Sequence, residues 1–97
     1  MPTYVSLINW TDEGIRNVGD TLDRAERASE LAKKHGCSMQ LYWTVGPYDL
    51  VAITEAPDEE SVSAFTLEAA SGGAVRTTVL RAYDRDEMSG ILERLGG

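Results

Sequence analysis

Apolar and polar positions alternate with a period of two from Thr3 to Trp10. Tyr4, Ser6, Ile8 and Trp10 fall on one face and Val5, Leu7 and Asn9 on the other, the pattern of a strand with two different environments. Thr11 to Gly19 is polar and interrupted by Gly14 and Gly19, so a loop or one helical turn is expected, pinned down by Ile15 and Val18. The period then becomes helical. Asp20 is placed to cap a helix running to about His35, its carboxylate accepting from free amides of the first turn, and Gly36 stops it. Leu22, Ala25, Ala28, Leu31 and Ala32 form the apolar stripe. Asp23 with Arg27 and Glu30 with Lys34 are acid-first pairs four apart, which reads as a solvated face.

Alternation returns over Ser38 to Val45, with Met39, Leu41, Trp43 and Val45 opposite Ser38, Gln40, Tyr42 and Thr44. Val45-Gly46-Pro47-Tyr48-Asp49-Leu50 follows, where a glycine, a proline and an exit acid between two β-rich runs predict a tight hairpin. Leu50 to Glu55 is the third strand. Ala56-Pro57-Asp58 ends it and caps a second helix, which carries Glu59 and Glu60 near its positive end and buries Val62, Phe65 and Ala69. Gly72-Gly73 breaks that helix, and Val75 to Tyr83 alternates as a fourth strand. Asp84-Arg85-Asp86-Glu87 is a capping-box pattern opening a last helix with Met88, Ile91, Leu92 and Leu95 at helical spacing; Gly96-Gly97 should fray.

The order βαββαβ with a C-terminal helix predicts an α+β, ferredoxin-like fold: a four-stranded antiparallel sheet with helices on one face. The strands place large apolar residues on both faces, so the second face calls for a cover. A second copy of the same sheet across a two-fold axis is the simplest one, and a homodimer or higher oligomer is expected. At 97 residues the chain is one domain, residues 1–97.

Charge and cysteine content narrow the partners. Nine Lys and Arg against sixteen Asp and Glu leave a formal charge of -7, which repels phosphate backbones and anionic lipid, so neither nucleic acid nor membrane is an expected partner. No basic leader precedes an apolar core and no long apolar run occurs, which with a lone cysteine points to the cytoplasm. Cys37 and His35 supply too few ligands for a structural zinc site, and Gly72-Gly73 lacks the spaced glycines and lysine of a phosphate cradle; no metal and no cofactor are expected.

Asn9-Trp10-Thr11, Tyr42-Trp43-Thr44-Val45-Gly46-Pro47-Tyr48-Asp49 and Val75-Arg76-Thr77 resemble the GYD-domain family, with Gly46, Tyr48 and Asp49 at the positions of its name. The resemblance spans nearly the whole chain. It implies membership of the dimeric α+β barrel proteins, in agreement with the two-sided sheet. Neighbouring barrel families range from cofactor-independent oxygenases and isomerases to binding and stress-related proteins, so fold analogy does not choose a chemistry.

In the expected topology the first two strands are parallel with the third between them. That gathers Trp10, Thr11, Asp12, Arg16, Trp43, Tyr48, Asp49 and Arg76 at one end, and sends His35, Cys37, Glu55 and Tyr83 to the other. A strand of six residues is roughly 20 Å long, so His35 cannot serve Asp49 in a catalytic triad. His35 and Cys37 could form half a metal site, although a solvated histidine beside a packed cysteine is the commoner arrangement.

The candidate ligand-binding residues are Trp10, Trp43, Tyr48, Asp49 and Arg76. A carboxylate and a phenol flanked by an arginine and two indoles could bind or protonate a small polar molecule. Each has a structural alternative: Asp49 fixing the turn, Tyr48 covering the sheet edge, the indoles filling an interface, and Arg76 or Arg81 pairing with Asp12, Glu13 or Asp49. Three functions follow. One is a homo-oligomeric domain binding a small metabolite near the hairpin. Another is a cofactor-independent enzyme of oxygenase or isomerase type using Tyr48 or Asp49 as acid or base. The third is a protein-assembly module without a ligand.

Overall fold

The computed structural model describes residues 1–96. Its elements run β1 (Thr3–Trp10), α1 (Asp12–Arg16), a 3-10 turn (Val18–Asp20), α2 (Thr21–Lys34), β2 (Ser38–Trp43), β3 (Leu50–Glu55), α3 (Glu59–Ala70), β4 (Val75–Ala82) and α4 (Arg85–Leu95). The strands form one four-stranded sheet in the order β2-β3-β1-β4, every neighbouring pair antiparallel. This is the expected ferredoxin-like α+β arrangement. α2 packs over β2 and α3 over β4, on the same face of the sheet.

Register assigns the faces. Tyr4 pairs with Thr54 and Arg81, Ser6 with Ala52 and Val79, and Ile8 with Leu50 and Thr77; Met39, Leu41 and Trp43 complete the helix-covered face on β2. Val5, Leu7, Val51, Ile53, Leu80 and Tyr42 share the opposite face, which no helix covers. Away from the hairpin the covered face is a closed core of Tyr4, Ala32, Cys37, Ala56, Val62 and Phe65.

Helix ends follow local chemistry, with one exception. Asp58 and Asp84 are extended and accept from the amides of Ser61 (2.8 Å) and Glu87 (2.7 Å), and Glu87 returns the bond to the Asp84 amide, completing the box. Asp20 occupies the cap position of α2, but its carboxylate accepts no amide. The 3-10 turn runs directly into α2 and leaves Asp20 at φ -92°, ψ 7°, away from the extended conformation that side-chain capping uses. At the far end Gly36, at φ 74°, closes the helix: its amide donates to Lys33 and the Cys37 amide to Ala32, the paired bonds of a Schellman stop.

Other expectations shift. β2 ends at Trp43, and the connection to β3 is a wider loop closed by the Thr44 amide donating to the Asp49 carbonyl at 2.9 Å, with Val45 fully exposed. Leu22 leaves the apolar stripe of α2 and is exposed. Neither expected ion pair on that helix forms. Lys33 pairs with Glu30 at 3.4 Å, and Lys34 reaches across to Glu68 on α3 at 3.0 Å. α4 carries Met88, Leu92 and Leu95 exposed and packs closely on no other element; it is tied back where Glu87 meets Arg81 at 2.8 Å. Gly96 caps α4, and the fraying expected at Gly97 lies outside the described residues.

Candidate functional site

The hairpin end of the sheet is held by a small set of bonds around the end of β1. The Asp49 amide donates to the Ile8 carbonyl and its carboxylate accepts from the Trp10 amide, both at 2.9 Å. One residue on, Thr11 donates its amide to the Ala74 carbonyl at 3.0 Å and its hydroxyl to the Gly73 carbonyl at 2.5 Å, and that hydroxyl accepts from the Gly14 amide at 3.1 Å. Thr11 therefore caps α1 and ties it to the entry of β4. Gly14 is buried against this junction, where any Cβ would collide with the Ala74 carbonyl, a backbone atom that cannot move aside.

Behind this junction a cavity of about 310 Å³ lies between the sheet and helices α2 and α3. Ile8, Leu41, Leu50 and Phe65 give it large apolar walls, and Trp10 lines it at the hairpin end. Beside Leu31 and Phe65 its helix side carries the small residues Ala25, Ala28 and Ala69, with Gly72 from the turn after α3. Thr21, Thr54 and Thr66 add hydroxyls, and Arg24, Arg27 and Glu68 are the only charged groups of its lining.

Those three charges differ in their commitments. Arg24 donates to the carbonyls of Asn17 (2.8 Å) and Gly14 (3.2 Å), so its guanidinium closes the end of α1. Glu68 is held by His35 Nε2 at 2.8 Å and Lys34 Nζ at 3.0 Å, and these bonds keep its carboxyl below the ordinary glutamate range. Arg27 forms no ion pair among the described residues.

The residues singled out from sequence are not all brought together. Trp10 lines the cavity, and Trp43 stands at its edge on the same face, its indole donating to the Thr21 hydroxyl at 3.0 Å. Tyr48 and Asp49 do not line it; Asp49 clamps Trp10, and the Tyr48 carbonyl accepts from the Thr44 hydroxyl at 2.6 Å. Arg76 pairs in register with Asn9 and belongs to the other face of the sheet, exposed. Arg81 meets none of the acids expected for it. It pairs with Glu87, whose carboxylate raises its pKa, and stacks over Tyr83 at 4.6 Å and Tyr4 at 5.6 Å. His35 pairs with Glu68 and Cys37 is buried, its thiol pushed up by that burial, at the end of the sheet away from the hairpin. No cluster of metal-ligating side chains occurs among the described residues.

Sequence reasoning missed Arg24, Arg27 and Thr21. The charge run of α2 reads as a solvated face, yet Arg24 and Arg27 sit one position before Ala25 and Ala28, and long side chains in those places border the space that the small ones leave. That adjacency was the available signal.

The model of the family described as GYD domain matches residues 4–92. A Thermus thermophilus protein named glutamine synthetase and cystathionine beta-lyase binding protein is 34% identical over 84 residues, 84% of this chain and 88% of that protein. A crystal structure from Thermus thermophilus superposes with a TM-score of 0.55 at 27% identity, covering 88% of this chain and all of that one. A structure named as a chlorite dismutase gives 0.59 at 17% identity, covering 95% of this chain and 48% of that one, a likeness of fold alone.

Proposed function

The chain belongs to the GYD-domain family, and we propose from that premise that it is a binding module, pairing with a second copy of itself and docking as a pair on other proteins. The bare face of the sheet carries this reading. Val5, Leu7, Val51, Ile53 and Leu80 lie together there as one contiguous set, with Ile53 38% and Leu80 45% exposed. A face of this kind is stabilised by removal from water, and a two-fold partner presents the same face in return. The name of the Thermus relative supports protein partners, with glutamine synthetase and cystathionine beta-lyase as the ones to try first. A cytoplasmic setting fits such partners and the single free thiol; among the described residues no helix is long and apolar enough to cross a membrane.

Binding is favoured over catalysis by the disposition of the polar groups. Asp49 is engaged with the Trp10 amide, and Arg76 faces away from the cavity across the sheet. A second reading adds to the first: the cavity behind Trp10 holds a small molecule. In this second reading the hairpin end keeps its importance, through Trp10 in the lining and Trp43 at its edge.

Sedimentation velocity at micromolar concentration tests the pairing. The expected result is a species near twice the 10.6 kDa chain mass, dissociated by Val51→Glu and, for the wild type, co-sedimenting with purified glutamine synthetase. A wild type sedimenting only as monomer would overturn the reading.

A further inference from the structure

We infer that the cavity between the sheet and helices α2 and α3 is a site for a small amphipathic anion, an apolar monocarboxylate whose acid head meets Arg27 and Arg24 while its body lies along Ile8, Leu50 and Trp10. This rests on the small-molecule reading above and gives it a chemical class.

Three features fix the class. The walls are predominantly aliphatic and aromatic, so the body of the ligand is apolar. The volume, about 310 Å³, is at the small end for ligand pockets and accommodates a medium-chain or single-ring acid. The charge of the lining then selects the head group. In a chain with sixteen acids, the single carboxylate reaching the cavity is Glu68, and it is already held by His35 and Lys34. Two guanidinium groups one turn apart on α2 remain. Arg27 has no ion pair among the described residues, and Arg24 donates to two carbonyls through one nitrogen, leaving further donors in its planar fork. A planar carboxylate matches that fork. A cationic ligand would meet repulsion from both arginines, and a neutral one would forgo the charge-assisted bonds that a carboxylate makes with them.

Octanoate is the probe, with 1-octanol as its neutral counterpart, followed by titration calorimetry and by tryptophan fluorescence, to which Trp10 in the wall and Trp43 at the edge both contribute. Octanoate is expected to bind at least tenfold more tightly than octanol, and Arg27→Gln, at an exposed position that should leave the fold intact, is expected to remove that advantage while leaving octanol unchanged. Equal binding of the two probes, or an octanoate affinity indifferent to Arg27→Gln, would overturn the anion assignment while leaving the small-molecule reading intact. Binding of neither probe at millimolar concentration would overturn both.

Discussion

At the end of the sheet that carries Tyr4 and Cys37, helices α2 and α3 close on it with Ala32, Val62 and Phe65, and the side chains there are almost wholly buried. At the hairpin end the same two helices present Ala25, Ala28 and Ala69 beyond Leu31 and Phe65, Gly72 follows in the turn after α3, and a cavity remains. The strands opposite do not explain the difference, since Ile8, Leu41 and Leu50 are large. What differs is three helix positions, Ala25, Ala28 and Ala69, which face the cavity where Val62 and Phe65 fill the closed end. Burying a leucine side chain is worth about 1.5–3 kcal/mol, so each alanine facing the cavity forgoes stability that a larger residue would supply. The hollow end is a place where side-chain volume has been left out, and the solid end carries the fold.

Phe65 tests that division most severely, because it belongs to the closed core and also forms a wall of the cavity. Phe65→Ala would join the cavity to the core, and the expected loss is about 3–5 kcal/mol in denaturant unfolding. A loss under about 1 kcal/mol would mean that the closed end is not what holds the domain.

A pair of substitutions on one helix sharpens the contrast at smaller magnitude. Ala28 and Ala32 lie one turn apart on α2, the first lining the cavity and the second 1% exposed in the core. Leucine at the second position has no room, and Ala32→Leu is expected to cost about 1–3 kcal/mol through overpacking. Leucine at the first fills existing space, so Ala28→Leu is expected to be neutral or to stabilise by about 0.5–2 kcal/mol while abolishing octanoate binding. Melting curves of the two variants check the sign. Equal destabilisation would erase the distinction between the ends.

How much of this was legible beforehand depends on which physics set each feature. Strand faces, the Schellman stop at Gly36 and the caps at Asp58 and Asp84 are local, and their residues announce them. The parting of the two ends of the sheet also follows from topology alone. Asp20 misleads because its backbone angles are set by the preceding turn, something its own residue type does not encode. The cavity was not legible. It arises where three elements fail to meet, and alanines at helical spacing look the same whether they pack tightly, as Ala32 does, or face a void, as Ala28 does. Arg27 was hidden for a related reason: an acid four residues earlier offers it a partner, and only the tertiary arrangement leaves it unpaired among the described residues at the rim of the cavity.

The smallest expected effect concerns the solid end itself. Tyr4 is 4% exposed, and its hydroxyl has no hydrogen-bond partner among the described residues. Burial raises its pKa, reinforced by the nearby charge of Glu59 and opposed by Arg81, whose guanidinium lies 5.6 Å from the ring. A phenol raised in the folded state contributes stability that is fully present below the ordinary tyrosine value of about 10 and is lost as pH climbs through the folded value, because the unfolded chain then releases the proton more readily. Tyr4→Phe removes both the unpartnered hydroxyl and this alkaline loss. The variant is expected to melt at the wild-type temperature or a few degrees higher at pH 7, and to exceed the wild type by a widening margin above pH 10. Melting curves across pH 7 to 11 give the comparison, and a constant margin would show that the closed end tolerates the tyrosinate. The hydroxyl would then have a route to water, and this end of the layer would be less tightly sealed than the contrast with the hairpin end requires.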